Sequence, residues 1–321
     1  MTRYVIKRLL LFPVLLLIVS ALIFFLVNLV PVDPVRSILP PEADIADMDA
    51  LRSEMGLNEP LITQYLNYMK GVFQGDFGNS WYTGKSVISE IQIRLPVTVK
   101  LSVLTMLITV IIGLPLGILC AVKQYTLIDD IINAISKCVG VIPNFWMALI
   151  LMLFFCSQLH WFPSYGIGTW KHWILPVATI SVQIIATYLR VVRSTMLDCI
   201  RQDYIRTARS KGQEERIIIF RHALKNALLP LITLTGQQFA ILMGGALVVE
   251  SVFSLPGLGS FVINAIKAKD IPLVVGGTLF IALIFLVVTL IMDILYVVVD
   301  PRVKTTFVTT GKIRGKPQRA V

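Results

Sequence analysis

This chain has little charge and few groups that carry out chemistry. Asp, Glu, Lys and Arg make up 15% of its 321 residues, beside three histidines and four cysteines. Cys120, Cys138, Cys156 and Cys199 have no C-x-x-C spacing and lie on or beside apolar runs, so they read as small packed residues rather than ligands or disulfide partners. His160, His172 and His222 are too scattered for a metal site. There is no H-E-x-x-H, no cluster of carboxylates and no Ser/His/Asp set, which removes the usual kinds of membrane enzyme. The apolar runs also lack ionisable residues at mid-length: Glu250 and Asp293 fall near run ends. An ion-coupled carrier or pump would keep such groups in the middle of the membrane.

Two apparent nucleotide motifs fail on inspection. "GNSWYTGKS", residues 78 to 86, looks like a phosphate-binding loop, but G-x-x-x-x-G-K-[ST] needs a glycine where Asn79 stands, and no buried strand precedes it. The "DFG" of residues 76 to 78 has none of the other kinase signatures around it. The chain itself is expected not to bind ATP.

What is abundant is apolar length. Hydrophobic residues are 56% of the chain and mean hydropathy is +0.78, well above a soluble domain. They gather into six runs long enough to cross a hydrocarbon core about 30 Å thick: Leu9 to Val30, Val97 to Val122, Ile131 to Gln158, Ile174 to Val192, Leu229 to Phe253 and Ile271 to Val299. Backbone groups in lipid must be satisfied within each run, so each is expected to be helical. The predicted fold class is all-α, a polytopic membrane protein with six spans. The run at 9 to 30 exceeds the apolar core of a signal peptide and reads as an uncleaved first span.

Lys and Arg set the expected orientation. With the N-terminus inside, 20 of the 29 fall on the inner side, in both tails, around the turn between spans 2 and 3 and in the loop between spans 4 and 5. Topology therefore accounts for the net charge of +10, and no nucleic-acid partner is implied. The domain reading is 1 to 30 as tail and first span, 31 to 96 as an outer cap of short helices, 97 to 303 as a five-span core with a loop at 193 to 229, and 304 to 321 as a tail expected to be disordered.

The loop between spans 4 and 5 has a shape of its own. Met196, Ile200, Tyr204 and Ala208 recur every four residues, and Gly212 follows Arg209 and Lys211 as a glycine follows a helix end. Glu214 and Glu215 then open a second helix with Ile217, Phe220, Leu224 and Leu228 as its apolar positions. A basic amphipathic loop lying among lipid headgroups would also fit this charge pattern. Beyond the fifth span, "ESVFSLPGLGSFVINAIKAKD" predicts a short helix with Phe261, Val262, Ala265 and Ile266 on one face.

Several segments occur in a telling order: "YVIKRLLLFPVLLLIVSALIFFLVNLVPVDP", "GDFGNSW", "IPNFWMALILML", "DYIRTARSKG", "RHALKNALLP", "LVVESVFSLPGLGSFVINAIKAKDIPLV" and "DPRV". Together they resemble the peptide and nickel branch of ABC-importer permeases. The resemblance spans about residues 1 to 304. The triplet Arg206-Thr207-Ala208 stands where most ABC permeases have Glu-Ala-Ala, and Pro230 lies further from Gly212 than usual, as in that branch.

The resemblance implies a type I importer fold in a bacterial inner membrane, with both termini cytoplasmic. Implied partners are a second permease, two ATPases and an extracellular binding protein, with no cofactor or metal in this chain. It implies coupling to the ATPases through Asp203, Tyr204, Arg206, Thr207, Ala208 and Gly212. Candidate path residues are Ser181 and Gln183 in the fourth span and Thr233, Thr235, Gln237 and Gln238 in the fifth; the alternative for each is helix packing through small polar groups. Glu250, Pro256, Gly257 and Gly259 are candidates for an outer gate or receptor contact. Short peptides and nickel or its chelates are the expected substrates, and a self-sufficient carrier or channel is the alternative function.

Overall fold

A computed structural model describes residues 2 to 29, 34 to 40 and 42 to 299; the expected tail from 304 and the side chain of Asp293 lie outside the described residues. Helices account for most of it, with no strand among the described residues beyond one isolated bridge between Asn79 and Ser86. The first long helix, α1, is Thr2–Asn28. Three short helices follow, α2 (Pro34–Ile38), α3 (Ile45–Glu54) and α4 (Leu61–Phe73), which are together called the cap below. Next come α5 (Val87–Val122), α6 (Leu127–Val141), α7 (Asn144–Leu151) with a π-helical continuation Met152–Gln158, and α8 (Lys171–Ile200). The remainder is α9 (Asp203–Ser210), α10 (Glu215–Ile217), a π-helical segment Ile218–Ala223, α11 (Leu224–Gly245), α12 (Leu247–Val252), α13 (Leu258–Ala268) and α14 (Ile271–Val299).

Five helices are long and apolar enough to cross a membrane, and a sixth crossing exists if the pair Leu127–Val141 and Asn144–Gln158 counts as one. That pair corrects the expectation of one straight span over 131 to 158, because it bends by 96° at its break. The cause is Pro143, which disfavours helical backbone at the residue before it; Ile142 is extended, with φ −70° and ψ 123°. The second span starts ten residues earlier than expected. Ser86 precedes it and Pro96 lies inside, where a missing N–H forfeits a single bond of a 36-residue helix. At the other end of the chain, the fifth span stops at Gly245 rather than running to Phe253, and Ala246, with ψ 41°, turns the chain into α12.

α8 is the central post: half of its most apolar stretch is buried, against 11% for α1 at the periphery. α5 runs parallel to it. Val97 and Leu101 share a core with Trp173, Leu175 and Val177 at the cap end, while Ile118 and Ala121 share another with Val192 and Met196 at the far end. α1 and α14 are antiparallel neighbours, with Phe24 against Val275 and Leu279. α13 matches the expected short helix, yet it is buried in the bundle through Leu258, Phe261 and Val262 rather than resting on its surface; Ile266 alone of the expected face is exposed. Cys120 is buried as expected, whereas Cys138 is exposed on α6; all four cysteines are unpaired.

Candidate functional site

At the end of the bundle opposite the cap, the chain makes an elbow. α8 ends at Ile200 and Gln202 is extended, so α9 starts on a new axis. This corrects the expected single stripe from Met196 to Ala208: the chain re-phases, and α9 turns in Ile205 and Ala208 while Tyr204 is 42% exposed. α9 closes with Gln213 N–H donating to the Ala208 carbonyl (3.3 Å) and Gly212 N–H to that of Arg209 (2.9 Å). That pairing requires a left-handed residue past the helix end, and Gly212 supplies it with φ +74°. Arg209 clips the turn shut by donating from Nε (3.1 Å) and Nη2 (2.5 Å) to Glu215.

The second arm of the elbow is α10, the π turn and α11 in one run, so the expected second helix leads straight into the fifth span. Of the four positions expected on its buried face, only Leu224 packs against the core. Ile218, Ile219, Ala223, Ala227 and Leu231 pack inward, and Ile217, Phe220 and Leu228 face out at 41%, 55% and 38% exposure. Ala223 and Ala227 allow close approach at the contact, and small residues of this kind escape a search for large apolar positions. Asn226 Nδ2 donates to the Tyr204 hydroxyl across the two arms (3.1 Å). Partial burial pushes the Tyr204 phenol up, with the Asn226 bond acting against it, so the phenol stays neutral at physiological pH. The elbow thus presents Asp203, Tyr204, Arg206, Thr207 and Gly212, while Ala208 is buried against its own bundle.

At the cap end, two buried carboxylates tie segments together. Glu250 on α12 is fully buried. It accepts from Thr98 Oγ1 of α5 (2.7 Å) and from Ser260 N–H at the start of α13 (3.0 Å), and Thr98 in turn accepts from Leu258 N–H (2.8 Å). A Cβ at Gly257 would overlap the Glu250 carboxylate. Asp270, between α13 and α14, accepts from Ser80 Oγ (2.6 Å). Ser80 also receives the N–H groups of Thr83 (3.0 Å) and Tyr82 (3.3 Å), so the loop that resembles a phosphate cradle spends its donors on its own serine. Of the residues expected at an outer gate, Pro256 is exposed, whereas Glu250, Gly257 and Gly259 are enclosed.

The candidate path residues do not converge. Ser181 is buried and bonds back to the Ala178 carbonyl. Thr233 does the same to Leu229, and Thr235 to Leu231 while also meeting the Tyr188 hydroxyl at 3.1 Å. Gln183 reaches the Ile142 carbonyl, at the break in the third span. Gln237 is exposed and Gln238 half-buried, and neither side chain has a hydrogen-bond partner among the described residues.

Residues 113 to 305 match the family described as "Binding-protein-dependent transport system inner membrane component", and residues 1 to 102 match its N-terminal counterpart, "Binding-prot-dependent transport system membrane comp, N-term". The chain belongs to this permease family. It is 36% identical, over 95% of its own length and 99% of theirs, to the glutathione transport system permease protein GsiC of Escherichia coli K12 and of Salmonella typhi. The inward-facing MetNI methionine ABC transporter shares the fold, with a TM-score of 0.54, 17% identity, and coverage of 66% of this chain and 97% of that one. The protein is thus the membrane permease of an ABC importer, a class that works with ATPases and a binding protein, and is not itself an enzyme.

One feature of the permease escaped sequence reasoning, a polar seam between α6 and α8. Arg193 donates from Nε (2.7 Å) and Nη2 (2.6 Å) to both oxygens of Asp129, which is 2% exposed. Asn133 and the Tyr125 N–H donate to the same carboxylate. Further along, Ser136 Oγ donates to the Ala186 carbonyl (2.9 Å) and accepts from Arg190 (3.2 Å). The only available signs were an acid two residues before the expected third span and arginines seven and ten residues beyond Gln183, and charge counting assigns the arginines to topology.

Proposed function

We propose that this permease carries short peptides, in the size class of glutathione, inward across a bacterial inner membrane. The observation that supports this most is the identity with glutathione permeases over nearly the whole chain, the cap and the elbow included. Nickel gains nothing from the geometry. The His160 ring bonds to the Cys156 carbonyl and His172 to Thr169, so both rings are engaged locally. The self-sufficient carrier has no support in the family match.

In this reading the elbow faces the cytoplasm, as the Lys and Arg distribution predicts, and both termini lie on that side. Two ATPases grip the elbow through Asp203, Tyr204, Arg206, Thr207 and Gly212. A second homologous permease completes the pathway, and the binding protein delivers peptide at the cap end, where Pro256 is presented. Ala208, Glu250, Gly257 and Gly259 hold these surfaces in shape from behind. Gln237 and Gln238, with amides left unpaired, are the path residues best suited to hold a peptide backbone without selecting its side chains.

The test is reconstitution of the permease with its neighbouring permease, ATPases and binding protein in liposomes. Uptake of labelled glutathione should need ATP and be competed by other short peptides; competition by nickel alone would overturn the substrate assignment. Gln237→Ala and Gln238→Ala should lower uptake several-fold with the complex still assembled, and unchanged uptake would remove these residues from the path.

A further inference from the structure

The elbow and the broken third span are far apart in sequence but joined by continuous contacts. Ile205 and Ala208 of α9 share one core with Val192, Met196 and Leu197 of α8. From α8 the polar seam crosses to α6. It begins with the bidentate Arg193–Asp129 pair, passes through Arg190, Ser136 and Ala186, and ends where Gln183 holds the Ile142 carbonyl. Positions 183 to 193 cover about 15 Å of helix, so the seam follows α6 from its base to the break. Past the break no equivalent seam is found among the described residues, and α7 packs through Ala148 into the apolar core at the cap end.

The seam carries more polar contact than helix packing needs. A buried carboxylate tied by a bidentate arginine, an amide and a backbone N–H is geometrically exact, and losing one partner leaves a buried charge uncompensated. Alternatives in apolar residues would pack α6 on α8 as well, but they would allow the two helices to slide. The hydrogen bonds fix register.

We propose that Asp129 and Arg193 are positioning residues that latch α6 to α8, so that the two helices move as one body and pass elbow movement to the break at Ile142–Pro143. The proposal rests on the importer reading above. Substrate touches neither residue. What the latch contributes is the conversion of a push at α9 into a rotation of the third span about its bend.

The structure provides a direct test. A Cβ at Gly140 on α6 would lie 3.8 Å from that of Ala186 on α8, the separation of a relaxed disulfide. In a Cys138→Ser background, the Gly140→Cys/Ala186→Cys permease is assembled with its partners in liposomes and assayed oxidised and reduced, with labelled glutathione as probe. Oxidised complex should keep glutathione uptake within about twofold of reduced complex, since the cross-link joins parts that already move together. Uptake lost on oxidation and regained on reduction would overturn the proposal.

Asp129→Asn and Arg193→Lys keep the volume and weaken the latch. Each should lower glutathione taken up per ATP hydrolysed by about tenfold, a typical size for energetic coupling between sites. Equal falls in uptake and hydrolysis would mean a structural role alone and would overturn it. Absence of ATP-dependent uptake in the unmodified complex would instead count against the importer or substrate reading, which separates the two failures.

Discussion

Two glycines show how single residues set the limits here, and for different reasons. Gly212 is held at φ +74°, where a β-branched residue costs on the order of 1–3 kcal/mol. No side chain stands near it, so its replacement alters the turn and leaves packing intact. Gly212→Val should leave the bundle folded, abolish uptake and leave ATP hydrolysis running uncoupled; hydrolysis and uptake are measured on the same liposomes. Normal uptake would refute the role of the turn. Gly257 has an ordinary backbone, but a methyl there would run into the caged Glu250 carboxylate. Gly257→Ala should therefore destabilise the chain by about 2 kcal/mol, in the range of overpacked sites, seen as earlier thermal unfolding in detergent. Glu250→Ala should do at least as much harm, because the Thr98 hydroxyl and the Ser260 N–H lose their acceptor.

At the scale of elements, the second arm of the elbow makes the sharpest claim, since three of the four positions chosen from the sequence face out and only Leu224 packs inward. Ala223 is fully buried and Phe220 is 55% exposed. Ala223→Phe should lower stability by about 1–3 kcal/mol through overpacking and reduce the yield of folded chain. Phe220→Ala should leave the thermal midpoint of the lone chain unchanged yet weaken ATPase capture on co-purification. The opposite result for the pair would restore the sequence-based face.

What was legible and what was not divides along the same line. Apolar runs of membrane length, the glycine stop at 212, the acidic start at 214 and 215 and the short helix after "SLPGLG" are local signals, and the elements appear where these signals lie. The seam, the caged Glu250 and the Ser80–Asp270 tie join residues 64, 152 and 190 positions apart, and no periodicity carries such pairings. The bend at Pro143 was visible as a proline. An apolar run of membrane length outweighed it, because hydropathy counts composition and ignores the backbone bond that proline removes. The re-phasing at Arg201–Gln202 left no comparable mark.

For the whole molecule, the decisive property is that motion has to be supplied from outside. No described apolar helix centres on an ion pair that could couple transport to an ion gradient. The surfaces best suited to receive force or cargo sit at opposite ends, with α1, α5, α8, α11 and α14 between them. The Lys and Arg distribution predicts the sidedness of that arrangement, elbow inward and cap outward. Ser210, at the exposed end of α9, and Glu59, before α4 in the cap, are both solvent-facing. With the native cysteines replaced by serine, Ser210→Cys should react with a membrane-impermeant thiol reagent only after cells are opened, and Glu59→Cys should react in intact cells. Because both sites are exposed in the same fold, a reversal could not be blamed on burial. It would put the elbow outside, out of reach of any ATPase, and with it every role assigned to that turn would fall, while the helical bundle itself would stand.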